Sequence, residues 1–122
     1  MKITNVYEKL RKYKFKAKTK DCDWVYGGCY IKEDTTYILS DYEEVEVIPE
    51  TVCQSINLKD SENNEIYTGD ILIDNNGKKV VVVETINGWQ LRNFETNRAT
   101  SIYYINKYKV TGNVHNEKHN PN

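Results

Sequence analysis

Apolar and polar residues alternate through most of this chain, and a period of two is typical of β-strands. In KFKAKTK, residues 14–20, the lysines share one face and the apolar residues share the other. That pattern predicts a strand with a charged outer side, which discourages edge pairing. Residues 23–32 are apolar or aromatic on both faces, and their Gly27-Gly28 pair predicts a bulge or sharp bend. Shorter strands are expected at residues 35–39 and 44–48.

The second half of the chain reads as a meander of five strands joined by tight turns. Two Asn-Gly pairs, at residues 76–77 and 87–88, suit the positive φ that hairpin turns require. The predicted strands are GDILID, KKVVVVETI, WQLRNF, SIYYI and KVTGNV, between residues 69 and 114. A single sheet of this length is best stabilised by curling into a small closed barrel, which removes its edges.

The two ends of the chain differ from this pattern. Val6, Leu10 and Tyr13 form a helical stripe, so residues 1–13 are predicted to be a short helical extension. The polar residues 116–122 are predicted to be a disordered tail. Between them we expect an N-terminal β lobe with a connector at residues 14–64 and the small barrel at residues 65–115.

Net charge is −1, so whole-molecule charge does not indicate a polyanion partner, but the charge is unevenly distributed. Residues 1–20 hold eight basic residues against one acid, and residues 21–50 hold nine acids against one lysine. These segments could neutralise each other within one fold, pair between copies of the chain, or leave a basic face exposed.

The cysteines Cys22, Cys29 and Cys53 are odd in number and lack a Cys-x-x-Cys pattern. With no signal peptide and no apolar run of membrane-spanning length, we expect a reduced cytoplasmic protein with no membrane partner. Neither the spacing of Cys22 and Cys29 nor that of His115 and His119 is a usual zinc pair, so no metal or other cofactor is expected.

The stretch Tyr67-x-Gly69-Asp70-Ile71 is the strongest candidate for chemistry. Asp70 with Glu65 and Asp60 could do acid–base work or hold a divalent cation. The alternative is a turn entering a strand, because glycine and aspartate are turn residues. No histidine or nucleophile stands at a fixed spacing from Asp70, so we favour the turn and expect no catalytic residues and no enzyme.

Lysines interleaved with aromatic residues are a cue for nucleic-acid binding, since rings can stack on bases and lysines can contact phosphates. The acidic stretch that follows weakens this interpretation, and strand aromatics are often core. The candidate binding surface consists of Lys14, Lys16, Lys18, Trp24, Tyr26 and Tyr30.

Three stretches carry a resemblance to a known family: KFKAKTKDCDWVYGGCYIK, VIPETVCQSINLKDSENNEIYTGDIL and VTGNVHN, in that order. Together they resemble the YopX-like family of small proteins encoded by phages and prophages. Cys53 stands where the family has glycine, and Ser55, Ile56 and Asn57 replace its Tyr-Thr-Gly. If that glycine served a bend, Asn57 can still adopt positive φ.

The resemblance implies a mostly β fold whose second half is an SH3-like small barrel, and it brings no catalytic residues. The central motif would be a connector between lobes. Its residues are Glu50, Thr51, Gln54, Lys59, Asp60, Tyr67, Gly69 and Asp70. We therefore expect a non-enzymatic phage or prophage accessory protein that acts by binding a host protein, a defence or replication component, or else a phage protein. The alternative partner is a nucleic acid or nucleotide, and self-association is open.

Overall fold

The computed structural model describes residues 14–116, and in them the prediction of a mainly β protein is confirmed. The helix predicted for residues 1–13 and the tail from residue 117 onward lie outside the described residues. The described strands are β1 Phe15–Lys18, β2 Trp24–Lys32, β3 Thr35–Ser40, β4 Glu43–Glu46, β5 Cys53–Lys59, β6 Glu65–Tyr67, β7 Asp70–Ile73, β8 Lys79–Thr85, β9 Gly88–Asn93, β10 Ala99–Ser101 and β11 Lys109–Asn113. Two 3-10 helices span Pro49–Thr51 and Ile102–Lys107.

The chain forms two compact units, Met1–Ser55 and Ile56–Asn122. In the first unit, antiparallel strands follow the order β4-β3-β2-β1, with the beginning of β5 beside β1. Ala17, Ile38 and Val47 are its buried core, and four partly buried residues pack against them. These four are Phe15, Val25, Cys29 and Val52.

The glycine pair of β2 lies where two strands come very close. Gly27 has φ +153°, and a Cβ placed there would lie 2.0 Å from the carbonyl oxygen of Leu39. Only a residue without a side chain fits at this point. The pairing partner of β2 also changes at this point: Gly27 pairs with Phe15 of β1, and Gly28 pairs with Leu39 of β3.

The prediction that the lysines of β1 form an exposed outer side was wrong. Lys16 and Lys18 are only 9% and 5% exposed, and β1 lies between β2 and β5 instead of guarding an edge. Alternation assigns residues to the same face but does not say whether that face is covered. Here the ring of Trp24 lies over both ammonium groups, so the lysine stems pack under an aromatic side chain.

The second unit contains a five-stranded antiparallel sheet in the order β10-β9-β8-β7-β11. The long strand β8 alternates as predicted, with Val80 and Val82 buried. Both predicted hairpins are present, joining β7 to β8 and β8 to β9. The core residues are Ile56, Ile66, Leu72, Val80, Val82, Leu91, Ile105 and Tyr108.

Two details of the predicted meander were wrong. SIYYI is not a strand: β10 ends at Ser101, whose hydroxyl accepts a hydrogen bond from the Tyr103 amide, and a 3-10 helix follows. Ile102 and Ile105 both contact the core, which fits the three-residue repeat of a 3-10 helix. The sheet is also not a closed barrel, because β10 and β11 end it on opposite sides and do not pair in the described residues.

Candidate functional site

The register of the first unit brings most of the predicted binding surface onto one face of its sheet. Lys16 pairs with Tyr26, and Lys18 pairs with Trp24, so these four side chains lie on the same side. Tyr30 lies four residues after Tyr26 in β2, on the same side of the sheet, and pairs with Tyr37 of β3. We call this side the aromatic face; its members are Lys16, Lys18, Trp24, Tyr26, Tyr30, Lys32, Tyr37, Leu39, Glu44 and Glu46. Lys14 precedes β1 and is exposed.

One end of the aromatic face is held by Trp24. The Nζ atoms of Lys16 and Lys18 lie 4.5 and 5.3 Å from its ring centroid, which is cation–π distance. Both ammonium groups therefore already have an aromatic contact within the protein. Both residues are also buried, so a phosphate ligand has little access to their ammonium groups, which makes these lysines poor electrostatic anchors for a polyanion.

The other end of the aromatic face is a network of Tyr30, Tyr37, Lys32 and Glu44. The two tyrosine rings stack with centroids 5.7 Å apart, and the Nζ of Lys32 lies 5.4 Å from the Tyr37 ring. Lys32 donates to both carboxylate oxygens of Glu44 at 2.9 Å. Charge and ring contacts thus link four side chains at this end of the aromatic face.

The ionisation of this network follows from its hydrogen bonds. The hydrogen bond with Glu44, together with desolvation and the carboxylate charge, raises the pKa of Tyr30 to about 12. Hydrogen bonds from Tyr30 and Lys32 lower the pKa of Glu44. The hydrogen bond to Glu44 raises the pKa of Lys32. Near neutral pH the network therefore carries one negative and one positive charge, and the phenol stays protonated.

Sequence reasoning missed Tyr37, Lys32 and Glu44 as parts of this surface. Alternation along β3 places Tyr37 and Leu39 on one face, and alternation along β4 places Glu44 and Glu46 on one face, so the sequence did contain part of this information. What was missing was the pairing register between strands, which decides which faces meet.

The first part of the central motif forms a 3-10 helix followed by the strand β5. Thr51 is buried; its hydroxyl donates to the Ile48 carbonyl at 2.7 Å and accepts from the Lys18 amide at 2.8 Å. Asn57 has φ +62°, as expected if it takes the place of a bend-forming glycine. Glu50 is exposed beside Thr51 in the 3-10 helix.

The remaining motif residues of β5 are spread along the strand. Gln54 pairs with Phe15 of β1, and Lys59 is exposed at the end of β5.

Asp60 is buried in the second unit and accepts hydrogen bonds from four donors. The amides of Glu62, Asn64 and Val110 lie 2.9, 2.7 and 2.8 Å from its oxygens, and the side chain of Asn64 lies at 3.3 Å. Burial would raise the pKa of this carboxyl, but the hydrogen bonds led by Val110 hold it below its usual value. Asp60 therefore ties the turn that follows it, up to Asn64, to the strand β11.

Asp70 forms a second such corner in the same unit. Its Oδ2 accepts from the Tyr67 amide at 2.8 Å, and its Oδ1 accepts from the Asn113 side chain at 2.9 Å. Gly69, with φ +84°, has its carbonyl bonded by the Val114 amide at 2.9 Å. This geometry supports the interpretation of the stretch as a turn entering a strand, and it ties β7 to the end of β11.

No group of three His, Cys, Asp or Glu side chains within residues 14–116 is placed so that it could hold a metal ion. Cys22 is exposed, Cys29 half-buried and Cys53 buried, and none of the three forms a disulfide in the described residues. Burial raises the pKa of Cys29, which makes this thiol less reactive. No helix within the described residues is long and apolar enough to cross a membrane.

The sequence model of the family described as YopX protein matches residues 1–121. No curated protein matches the chain.

Proposed function

The chain belongs to the YopX protein family, and we propose that it is a non-enzymatic phage or prophage accessory protein that binds a host protein. The aromatic face of the first unit is its contact surface. The observation that carries this proposal is the row of four aromatic rings, Trp24, Tyr26, Tyr30 and Tyr37, across neighbouring strands of one face.

The composition of the aromatic face suits a protein partner. Tyrosine and tryptophan are enriched in protein interfaces because they bury much area with few rotatable bonds. Tyr26 and Leu39 are exposed large apolar residues on this face. Glu44 and Lys32 supply the fixed charges that set orientation and exclude wrong partners.

The same charges favour protein over nucleic acid at this face. Two of its three lysines lie under the Trp24 ring, and the third is paired with Glu44. Glu46 adds a further exposed acid. Phosphate attraction dominates nucleic-acid affinity, so a face with compensated cations is a weak anchor for it.

The motif carboxylates support a binding role over an enzymatic one. Asp60 and Asp70 both accept hydrogen bonds from their own unit, and these bonds hold turns and strands together. A catalytic acid or base must reach a substrate proton, whereas these oxygens are occupied and buried.

Two finer expectations belong to this proposal. The order β10-β9-β8-β7-β11, with a 3-10 helix before the last strand, supports an SH3-like architecture for the second unit. The three cysteines of the described residues form no disulfide, which supports a reducing compartment, the cytoplasm of an infected or lysogenic bacterium.

The test uses the full chain as bait in bacterial lysate, followed by titration calorimetry with the purified captured protein. We expect one host protein to be retained at moderate salt. The double variant Tyr26→Ala/Leu39→Ala should weaken its binding by about tenfold or more, since central aromatic truncations typically cost over 1–2 kcal/mol.

The matched control is Ile31→Ala/Tyr42→Ala, which removes two exposed apolar side chains of the same unit that do not belong to the aromatic face. It should bind like the unaltered chain. Equal affinity of both double variants, or capture of nucleic acid in place of protein, would overturn the proposal.

A further inference from the structure

We propose that the second unit carries a separate nucleotide-binding cleft beside the exposed pair Tyr103 and Tyr104. The ligand is one nucleotide unit, a base with its phosphate. Its source is either a free nucleotide or a single-stranded nucleic acid. This site shares no residue with the aromatic face.

The cleft has a volume of about 420 Å³ and opens to solvent. Three segments of the second unit line it: the turn after β5, the turn between β7 and β8, and the 3-10 helix before β11. The lining residues are Ser61, Asp74, Asn75, Asn76, Asn106 and Lys107. Ligand pockets for small molecules start at about 300 Å³, so one nucleotide is a suitable occupant.

Three side-chain amides in this lining suit the edge of a base. Each asparagine offers two donors and an acceptor, and asparagine pairs well with the adjacent donor and acceptor of a base edge. Within the described residues, no side-chain hydrogen bond is made by Asn75, Asn76 or Asn106. The amide groups of these side chains are therefore available to a ligand.

The turn that presents two of these amides is rigid. Asp74 Oδ1 accepts from the amides of Asn76 and Lys78, each at 2.9 Å. This leaves the other carboxylate oxygen to accept from an amino group of a base. Asp74 has a structural role as well, so it is not a suitable position for a test.

The aromatic part of the site lies next to the cleft. The rings of Tyr103 and Tyr104 meet edge to face with centroids 5.0 Å apart, yet these residues are 79% and 52% exposed. Lys107 lines the cleft, and its Nζ is 5.0 Å from the Tyr104 ring. One lysine therefore joins a stacking surface to the polar cleft, the combination that single-strand binding sites use.

The 3-10 helix that carries these residues is anchored on both sides. Ser101 caps its beginning, and Ile105 is buried in the core. At its end, the amide of Tyr108 donates to the Ile105 carbonyl, and the Tyr108 carbonyl accepts from the Ser61 amide at 2.8 Å. The backbone on both sides of the ring pair is thus held before a ligand arrives, which lowers the cost of ordering this segment on binding.

The experiment measures binding of the full chain to labelled single-stranded DNA and RNA by fluorescence anisotropy, and to AMP, GMP, CMP and UMP by calorimetry. We expect binding that Tyr104→Ala/Lys107→Ala weakens by about tenfold or more, since a stacked base is worth about 1–3 kcal/mol. Lys107→Ala alone should reduce the slope of log K against log salt by about one.

The control Lys20→Ala/Tyr42→Ala removes one exposed lysine and one exposed tyrosine from the first unit and should bind normally. Thermal unfolding should be the same for both double variants. Binding of strands without mononucleotides identifies single strands as the source, and binding of mononucleotides without strands identifies free nucleotide. Absence of any binding, or equal loss in both double variants, would overturn the proposal.

Discussion

Replacing Asp60 by alanine should destabilise the second unit, because this one carboxylate satisfies three backbone amides. The Val110 amide belongs to β11, 50 residues away, and the other two belong to the turn that Asp60 begins. A buried donor left without an acceptor costs about 1–3 kcal/mol, and water can replace the acceptor at the exposed turn. We expect a loss of about 2–4 kcal/mol, a large share of an ordinary domain's stability.

Urea unfolding followed by fluorescence of Trp89, which packs on the core of the second unit, measures the loss in a Trp24→Phe background, where the tryptophan of the first unit no longer contributes. The midpoint should fall while the m-value stays constant. Hydrogen exchange at the Val110 amide gives an independent local measurement and should accelerate in Asp60→Ala. Glu62→Ala is the control, since it removes an exposed acid two positions on and leaves the backbone donor in place.

The effect should also depend on pH in a defined direction. The pKa of Asp60 is lowered in the folded protein, so its contribution is fully present above the unfolded value of about 3.9 and is lost as pH falls through the folded value. The stability gap between the unaltered chain and Asp60→Ala should therefore shrink in acid. A gap below about 0.5 kcal/mol at neutral pH, equal to the Glu62→Ala control, would refute the reasoning.

Two further predictions concern single side chains. Glu44→Gln should lower the pKa of Tyr30 from about 12 toward the ordinary tyrosine value of about 10, because the carboxylate that raises this pKa is gone. Ultraviolet titration of tyrosinate measures the shift. An unchanged pKa of Tyr30 would contradict its hydrogen bond with Glu44. Trp89→Phe should cost only the packing of the smaller ring, about 1–2 kcal/mol by circular dichroism in urea, because the buried Nε1 of Trp89 has no hydrogen-bond partner in the described residues. A loss above about 4 kcal/mol would exceed that packing cost and contradict the prediction.

The sequence predicted features that depend on neighbouring residues. Alternation identified β8 with its buried Val80 and Val82, and the Asn-Gly pairs located both hairpins. The turn interpretation of Asp70 also rested on local chemistry, and its bond to the Tyr67 amide agrees with it.

Features that depend on distant partners were not predictable in this way. Alternation set Lys16 and Lys18 on one face, but their burial depends on β5 and on Trp24 across the sheet. The acceptor role of Asp60 toward Val110 required knowledge of where β11 lies. Tyr37 and Glu44 joined the aromatic face only through the register of β3 and β4.

The ties from Asp60 and Asp70 to β11 have a consequence for how the protein is made. Their partners Val110 and Asn113 follow them by 50 and 43 residues, so both carboxylates leave the ribosome well before the groups that they bind. Until then the nascent chain keeps these two anions hydrated and the edge of β7 open. Synthesis of β11 therefore completes the second unit. A chain truncated before residue 109 would lack the strand that pairs with β7 and the groups that bind Asp60 and Asp70.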